Sequence, residues 1–489
     1  MRRPLAMVDV LYENWEPVIG LEIHVQLNTQ SKMFGGEPYR FGSEPNTDIG
    51  VVCTGQPGSL PTLNKEAVRK AVQFGCAVHA NVSLVSRFDR KSYFYPDNPK
   101  NYQITQFDQP IVQGGVILCD VGGETKHFNI NRAHLEEDAG MLKHFTQFSG
   151  VDYNRAGVPL LEIVSEACFH SPQEASAYAM AVKAIMEYLD ASDCNMEEGS
   201  LRMDANISVR LKGEKQLRNK IEIKNMNSFS HMELALESEI RRQIQFYSAH
   251  PHEKIETGTY RFDPEEGKVI LMRIKEQAED YRYFPEPDLP PICLTEAYIE
   301  EIRGSLPELP RARYKRYLSE LQIPEQPATL LIHNKKLSDY FEEGLKKCSN
   351  GKALANWLTI EFPGRLKDLG KTLWELGISC DHIAELVNLI EQGTITGKIA
   401  KSVADDMVAK PGLSPATIVQ GNPDYQPLQD TSEIESLIDQ VLADNPSIIT
   451  DYKAGKTKGF GFLVGQVMKL SRGKASPAIV NDLLLKKLK

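Results

Sequence analysis

Two proline-dense stretches, YFPEPDLPPICL at 283–294 and SLPELPRARY at 305–314, divide the chain into parts with different hydrophobic periods. Proline lacks a backbone N–H and fixes φ, so neither a helix nor a sheet ladder runs freely through such segments. Ahead of them, VIGLEIHVQL (18–27) and LRMDANISVRL (201–211) alternate polar and apolar residues, the period of half-buried strands. Gly-Gly pairs at 114–115 and 122–123 flank VILCDV and predict a hairpin, and SPQEASAYAMAVKAIMEYLD (171–190) has the Ser-Pro start and spacing of a helix. Behind the prolines the period becomes helical: Ile383, Leu386, Val387 and Ile390 share one face, as do Ile399, Val403 and Met407. A second loop is expected at AKPGLSPATIVQGNPDYQP (409–427). After it Ile434, Leu437, Ile438, Val441 and Leu442 form a stripe, and Ser476-Pro477 opens a last helix carrying Ile479, Val480, Leu483, Leu484 and Leu488. The reading is α+β: a largely antiparallel-sheet domain over 1–300, an all-helical domain over 301–409 and a small helical tail over 410–489.

Composition narrows the function. The 489 residues carry 56 Lys+Arg against 66 Asp+Glu, which excludes a wholly basic nucleic-acid coat. Charge is unevenly shared, because residues 451–489 hold nine Lys/Arg against Asp451 and Asp482, net +7, leaving -17 on the rest. This fits an acidic catalytic body with a basic grip for a polyanion, or a solvated lysine-rich terminus. The eight cysteines are never closer than 23 residues apart, so no CxxC pair exists, and they read as buried thiols in a reducing compartment. MRRPLAMVDVLYENWEP has no apolar core of signal-peptide length, and no apolar run approaches the ~18 residues of a membrane span, so a cytoplasmic protein is expected.

Several clusters could carry chemistry. Glu22 and His24 sit two apart on a predicted strand and share a face. His134, Glu136, Glu137 and Asp138 form a concentrated cluster, and Asp204 and Asn206 share another strand face. Crowded carboxylates repel unless a cation or proton relieves them, and an oxygen-rich set with one imidazole suits Mg²⁺ or Mn²⁺ better than zinc. FDRKSYFYPDNPKNYQITQFDQP (88–110) reads as a proline-stiffened loop on which Lys91 could reach a nucleotide or tRNA end, or which merely covers core. Asn154 and Arg155, and Lys224 beside Glu222, offer groups for phosphate oxygens, with surface ion pairs the ordinary alternative. GKT at 455–457 fails the P-loop spacing, GFGFLVG (459–465) suits close helix packing better than a dinucleotide loop, and neither HExxH nor a GxSxG elbow occurs. With no glycine-serine-rich amidase signature either, hydrolysing an amide donor is not this chain's own task.

The strings GLEIHVQL, FDRKSYFYPDNPKNYQITQFDQP, HLEEDAG, GVPLLEIVSE, MEEGSLRMDANIS, EIKNMNSF, DYRYFPEPDLPP and GFLVGQVMK, in this order, closely resemble the B subunit of the bacterial glutamyl-tRNA(Gln)/aspartyl-tRNA(Asn) amidotransferase, from about residue 17 to the C-terminus. That resemblance implies a glutamine synthetase-like cradle domain, a helical domain and a YqeY-like tail that binds tRNA. It implies ATP-dependent phosphorylation of the side-chain carboxylate of Glu-tRNA(Gln) or Asp-tRNA(Asn), with displacement of phosphate by ammonia from an amidase A subunit and a small C subunit joining the two. DNA and membranes are not expected partners. The resemblance places metal ligands at Glu22, His24, Glu136, Glu137 and Asp204, of which Glu22, His24 and Glu137 count as catalytic together with Lys91. It places nucleotide and acyl-end contacts at Lys91, Asn154, Arg155 and Lys224. Adjacent Glu136 and Glu137 face opposite ways on a regular strand, so both reach one ion only through a bulge or turn. Many relatives carry a CPxC-type zinc pair where this chain reads VVCTGQPG, leaving Cys53 alone, so no structural zinc is expected. Gln26 stands in place of a frequent Glu and Met203 in place of a usual Cys, neither touching the expected ligands. A free-standing carboxylate-amine ligase and a non-catalytic tRNA scaffold are the rival readings.

Overall fold

The computed structural model describes residues 13–274, 281–425, 428, 431–453, 458–471 and 474–488; residues 1–12 and the GKT at 455–457 lie outside them. The chain divides into two compact units, Met1–Pro310 and Arg311–Lys489.

Among the described residues, the first unit is built on a 13-stranded sheet. Within its antiparallel run, which ends on Phe284–Pro285 beside β2, lie β1 (Trp15–Gln26), β2 (Asp89–Ser92), β3 (Tyr102–Thr105), β4 (Glu124–Glu137), β5 (Pro159–Ser165), β6 (Leu201–Leu211) and β7 (Ile221–Lys224). They lie side by side in the order β7-β6-β1-β5-β4-β3-β2, every neighbouring pair antiparallel. The sheet continues past β7 through Gly258–Asp263, its parallel neighbour, and Lys268–Ile274. The expected hairpin is present: Val116–Val121 pairs with β4 across the Gly122-Gly123 turn, where both glycines take positive φ.

Alternation gives this sheet two unlike faces. Leu21, Ile23 and Val25 of β1, Leu161 and Ile163 of β5, Met203 and Ala205 of β6, and Ile221 and Ile223 of β7 point to one side and are all buried in a single core. Three helices cover that side: α1 (Lys65–Ala77), α2 (Pro172–Tyr188) and α3 (Phe229–Ala249). Each begins where a side chain satisfies otherwise open amide donors, namely Asn64, Ser171 followed by Pro172, and Ser228. The opposite face is left to the polar residues.

In the second unit the expected apolar faces are real. Ile383, Leu386 and Val387 are buried on the helix Cys380–Glu391, and Ile399, Val403 and Met407 on Gly397–Ala409. The loop expected at 409–427 contains a helix, Pro415–Gly421, started by Ser414 and packed against those two helices. The propensity of Pro at the first helical position outweighs the loop-like composition there. From Thr431 onward four helices, Thr431–Asp444, Pro446–Lys453, Lys458–Leu470 and Pro477–Leu488, share a core of Ile434, Ile438, Val441, Leu463, Val467, Val480 and Leu484. On the last helix Ile479 is exposed. Of the GFGFLVG glycines, only Gly459 lies close to a neighbour, where an added Cβ would meet Ile448 Cγ2 at 2.6 Å; Gly461 and Gly465 face open space. Cys53, Cys76, Cys119, Cys194, Cys348 and Cys380 are buried, but Cys168 is only half-buried and Cys293 is exposed. Among the described residues, no helix is long and apolar enough to cross a membrane.

Candidate active site

The polar face of the sheet carries the site. In register, His24 stands opposite Glu162 on β5 and Arg202 on β6, Glu22 opposite Asp204, and Glu162 opposite His134 on β4. Thr105 of β3 stands opposite Glu136, and Lys91 of β2 opposite Gln103. Side chains directly opposite one another, or two residues apart along a strand, project to the same side, so one face receives the cluster. The face floors a cleft of about 890 Å³ whose walls include His24, Lys91, Glu136, Asn154, Arg155, Arg202, Asp204 and Lys224.

Its centre is a trio. His24 Nε2 lies 3.3 Å from Glu162 Oε2 and 3.9 Å from Glu136 Oε1, and one ligand atom from each residue falls within 4.8 Å of the others. His134 Nε2 approaches the same oxygen of Glu162 at 3.4 Å, and Thr105 Oγ1 donates to Glu136 Oε2 at 3.2 Å. Burial pushes the Glu162 carboxyl upward, but His134 and His24 outweigh it and hold the group well below the usual carboxylate range. Burial likewise opposes protonation of His24, yet Glu162 raises the imidazole's pKa overall. Two carboxylates and one imidazole at this spacing are an oxygen-rich donor set that fits Mg²⁺ or Mn²⁺.

The other expected residues divide. Glu22 is on the same face, its Oε1 accepting from Asn206 Nδ2 at 2.9 Å; burial, then Glu162, raises its pKa. Asp204 is engaged with Lys224, whose ammonium lies 2.6 Å from Asp204 Oδ2 and 2.9 Å from Glu222 Oε1. Burial works against that ammonium, but Asp204 and Glu222 raise its pKa above the ordinary lysine value. Lys91 lies on strand β2, not in a loop: the 88–110 stretch contains the strands β2 and β3, with irregular chain between them and after Thr105. Its ammonium sits 5.0 Å from the Tyr281 ring centroid, and Glu136 and Glu162 raise its pKa in spite of burial.

Three expected residues have side-chain groups engaged elsewhere in the protein, although Asn154 and Arg155 also line the cleft. Glu137 points to the opposite side of β4, where its Oε1 accepts from the Ile104 amide at 2.9 Å and pairs with Lys100; the register there is regular, with no bulge to turn it back. Asn154 accepts from the Asp48 amide at 2.8 Å and donates to the Glu44 carbonyl at 2.7 Å, so its amide ties two loops. Arg155 donates to the carbonyls of Ala139 and Gly140 at 3.0 and 2.6 Å. Glu162 is absent from the residues expected on sequence grounds, though a lone carboxylate inside the apolar run PLLEIVS is its signal, since a buried charge needs partners.

A helix-backed antiparallel sheet whose open face gathers carboxylates, imidazoles and ammonium groups suits a charged, oxygen-rich ligand. Known proteins agree and narrow the class. Residues 17–300 match the GatB/GatE catalytic domain and residues 339–488 the GatB domain. The chain is 65% identical to the B subunit of the aspartyl/glutamyl-tRNA(Asn/Gln) amidotransferase of Protochlamydia amoebophila, over 98% of this chain and 97% of that protein. It is 58% identical to the corresponding protein of Chlamydia abortus, over 99% and 100%, and 55% identical to that of Chlamydia pneumoniae, over 98% and 99%. The chain belongs to this family of amidotransferase B subunits.

Proposed function

We propose that this chain is the subunit that activates and amidates the side-chain carboxylate of misacylated Glu-tRNA(Gln) and Asp-tRNA(Asn) in the cytoplasm, using ATP and ammonia supplied by a glutaminase A subunit held by a small C subunit. The observation that carries the reading is the single sheet face on which His24, Glu136 and Glu162 converge within 4.8 Å beside cleft-lining Lys91 and Lys224. A carboxylate is a poor acyl donor until one oxygen becomes a good leaving group, and phosphorylation supplies that. His24, Glu136 and Glu162 would hold the divalent ion, which when bound spreads the charge that builds up during phosphoryl transfer. Lys91 is positioned to face phosphate oxygens from the cleft wall, and Asp204 keeps the Lys224 ammonium aimed along the same face. Glu22, on the same face, is assigned to the same acidic set. The sheet unit acts as the catalytic cradle, followed in the chain by helical domains at about 301–409 and 410–489.

The test is ADP formation by the assembled complex with and without Glu-tRNA(Gln) or Asp-tRNA(Asn), for wild type and Asp204→Ala. Turnover that needs the charged tRNA and collapses in the variant supports the reading. Full turnover without tRNA would instead indicate a small-molecule ligase, and tRNA binding without turnover a scaffold.

The four C-terminal helices are assigned to the tRNA's folded body, read by shape and backbone because duplex RNA hides its base edges. Exposed Lys469 and Lys486 lie on two of them. Removing residues 431–489 is expected to weaken tRNA binding by the complex and flatten its salt dependence, since each lost phosphate contact lowers the slope by roughly 0.7 to 0.9. Unchanged affinity and slope would reject the assignment.

A further inference from the structure

The cations of the cleft differ in how far their neighbours engage them. Lys224 is held by Asp204 and Glu222, and Arg155 directs its donors to Ala139 and Gly140. Arg202 stands beside His24 on β6, lines the cleft and keeps part of its hydrogen-bonding capacity open. One of its terminal nitrogens donates to Asp138 Oδ2 at 2.7 Å, while its Nε is buried and meets no acceptor. Asp138 is 4% exposed and firmly seated: Gln26 Nε2 donates to Oδ2 at 3.0 Å, the Ala139 amide to Oδ1 at 2.9 Å, and Arg155 Nε lies 3.5 Å away. A buried carboxylate held from three directions fixes the plane of the guanidinium bound to it. The buried Nε is out of a cleft ligand's reach, and the terminal N–H groups that Asp138 does not take match two oxygens of one oxyanion.

We propose that Arg202 is the oxyanion anchor of the cleft and that Asp138 is its positioning residue. The inference rests on the activation reading and deepens it. The oxyanion belongs either to the acyl end's side-chain carboxylate or to the terminal phosphate of the nucleotide. In the first case the fork also separates substrate from product, because a carboxamide turns an N–H₂ donor toward donors.

The experiment uses the complete amidotransferase complex with Arg202→Lys, Arg202→Gln, Asp138→Asn and the double variant Asp138→Asn/Arg202→Lys. Steady-state ADP formation gives kcat and separate KM values for ATP and Glu-tRNA(Gln), and thermal melting monitors folding. Arg202→Lys keeps the charge and loses the fork, so roughly a 10- to 100-fold loss is expected. A fall in kcat with KM for ATP unchanged assigns the carboxylate; a rise in KM for ATP with kcat retained assigns the phosphate. Asp138→Asn is expected to move the same parameter in the same direction, and the double variant to be no worse than Arg202→Lys alone. An Arg202→Lys enzyme within twofold of wild type in all three parameters overturns the anchor. Additive losses in the double variant overturn the positioning role. A wild-type complex that forms no ADP in response to charged tRNA would instead remove the underlying reading, whatever the variants do.

Discussion

Glu162→Gln is expected to cut tRNA-dependent ADP formation by at least ~100-fold while leaving the fold intact. The substitution is nearly isosteric, so it opens no cavity in β5. What it removes is the charge on which two imidazoles converge, with His24 Nε2 at 3.3 Å and His134 Nε2 at 3.4 Å from one oxygen. A carboxamide offers those nitrogens a weaker neutral acceptor or, flipped, a competing donor. The trio of His24, Glu136 and Glu162 would then lack one of its two anionic donors. Binding of Mn²⁺ in the absence of tRNA and ATP gives a readout independent of turnover: a tight acid-dependent site in wild type, lost in the variant, is the expected result. Retention of both Mn²⁺ binding and turnover within about threefold would show that the trio holds no catalytic ion.

Arg90→Met is expected to be the most destabilising change near the site, costing roughly 3–5 kcal/mol in urea unfolding. Arg90 makes a two-pronged bond to Glu286, with Nε to Oε2 at 2.7 Å and a terminal nitrogen to Oε1 at 2.8 Å, and the Glu286 side chain is 0% exposed. Its guanidinium also lies 4.2 Å from the Tyr102 ring centroid on β3. Removing it leaves a fully buried carboxylate without its cation, which costs more than the pair contributes when intact. Arg90→Met with Glu286→Leu, which removes both charges, is therefore expected to recover most of the loss. Arg90→Lys should fall between, because an ammonium cannot make both bonds at once. Arg90 precedes Lys91 and pairs in register with Phe284, so the same variant should also loosen the cleft wall that Lys91 forms. A cost below about 1 kcal/mol would mean that Glu286 finds another partner.

Much of the site is legible in the sequence because strand periodicity is a local property. GLEIHVQL places Glu22 and His24 on one face, and β1 puts them there; the rule that adjacent Glu136 and Glu137 point opposite ways describes β4 as it is, with Glu137 turned toward Lys100 and Ile104. The 88–110 stretch reads as loop because prolines and tyrosines run through it, while the strands β2 and β3 within it are only four residues each, too short for a periodic signal. Asn154 and Arg155 look like ligand groups because a polar pair before a Gly-Val-Pro turn carries no mark of the backbone carbonyls they serve. Glu162 escapes because its partners are distant in sequence.

The sequence by itself determined the period of β1, β6 and the long helices on both sides of the proline-dense stretches, the faces of those strands and the family. Those come from residue-by-residue geometry and from strings that stand unbroken in the chain. Only the tertiary structure decided which strands are neighbours. The order β7-β6-β1-β5-β4-β3-β2 brings Glu162 to one side of His24, sets Arg202 on the other and seats Asp138 where it can hold that guanidinium. Sheet order depends on which apolar faces α1, α2 and α3 can bury together, a property of the whole core that no local pattern carries.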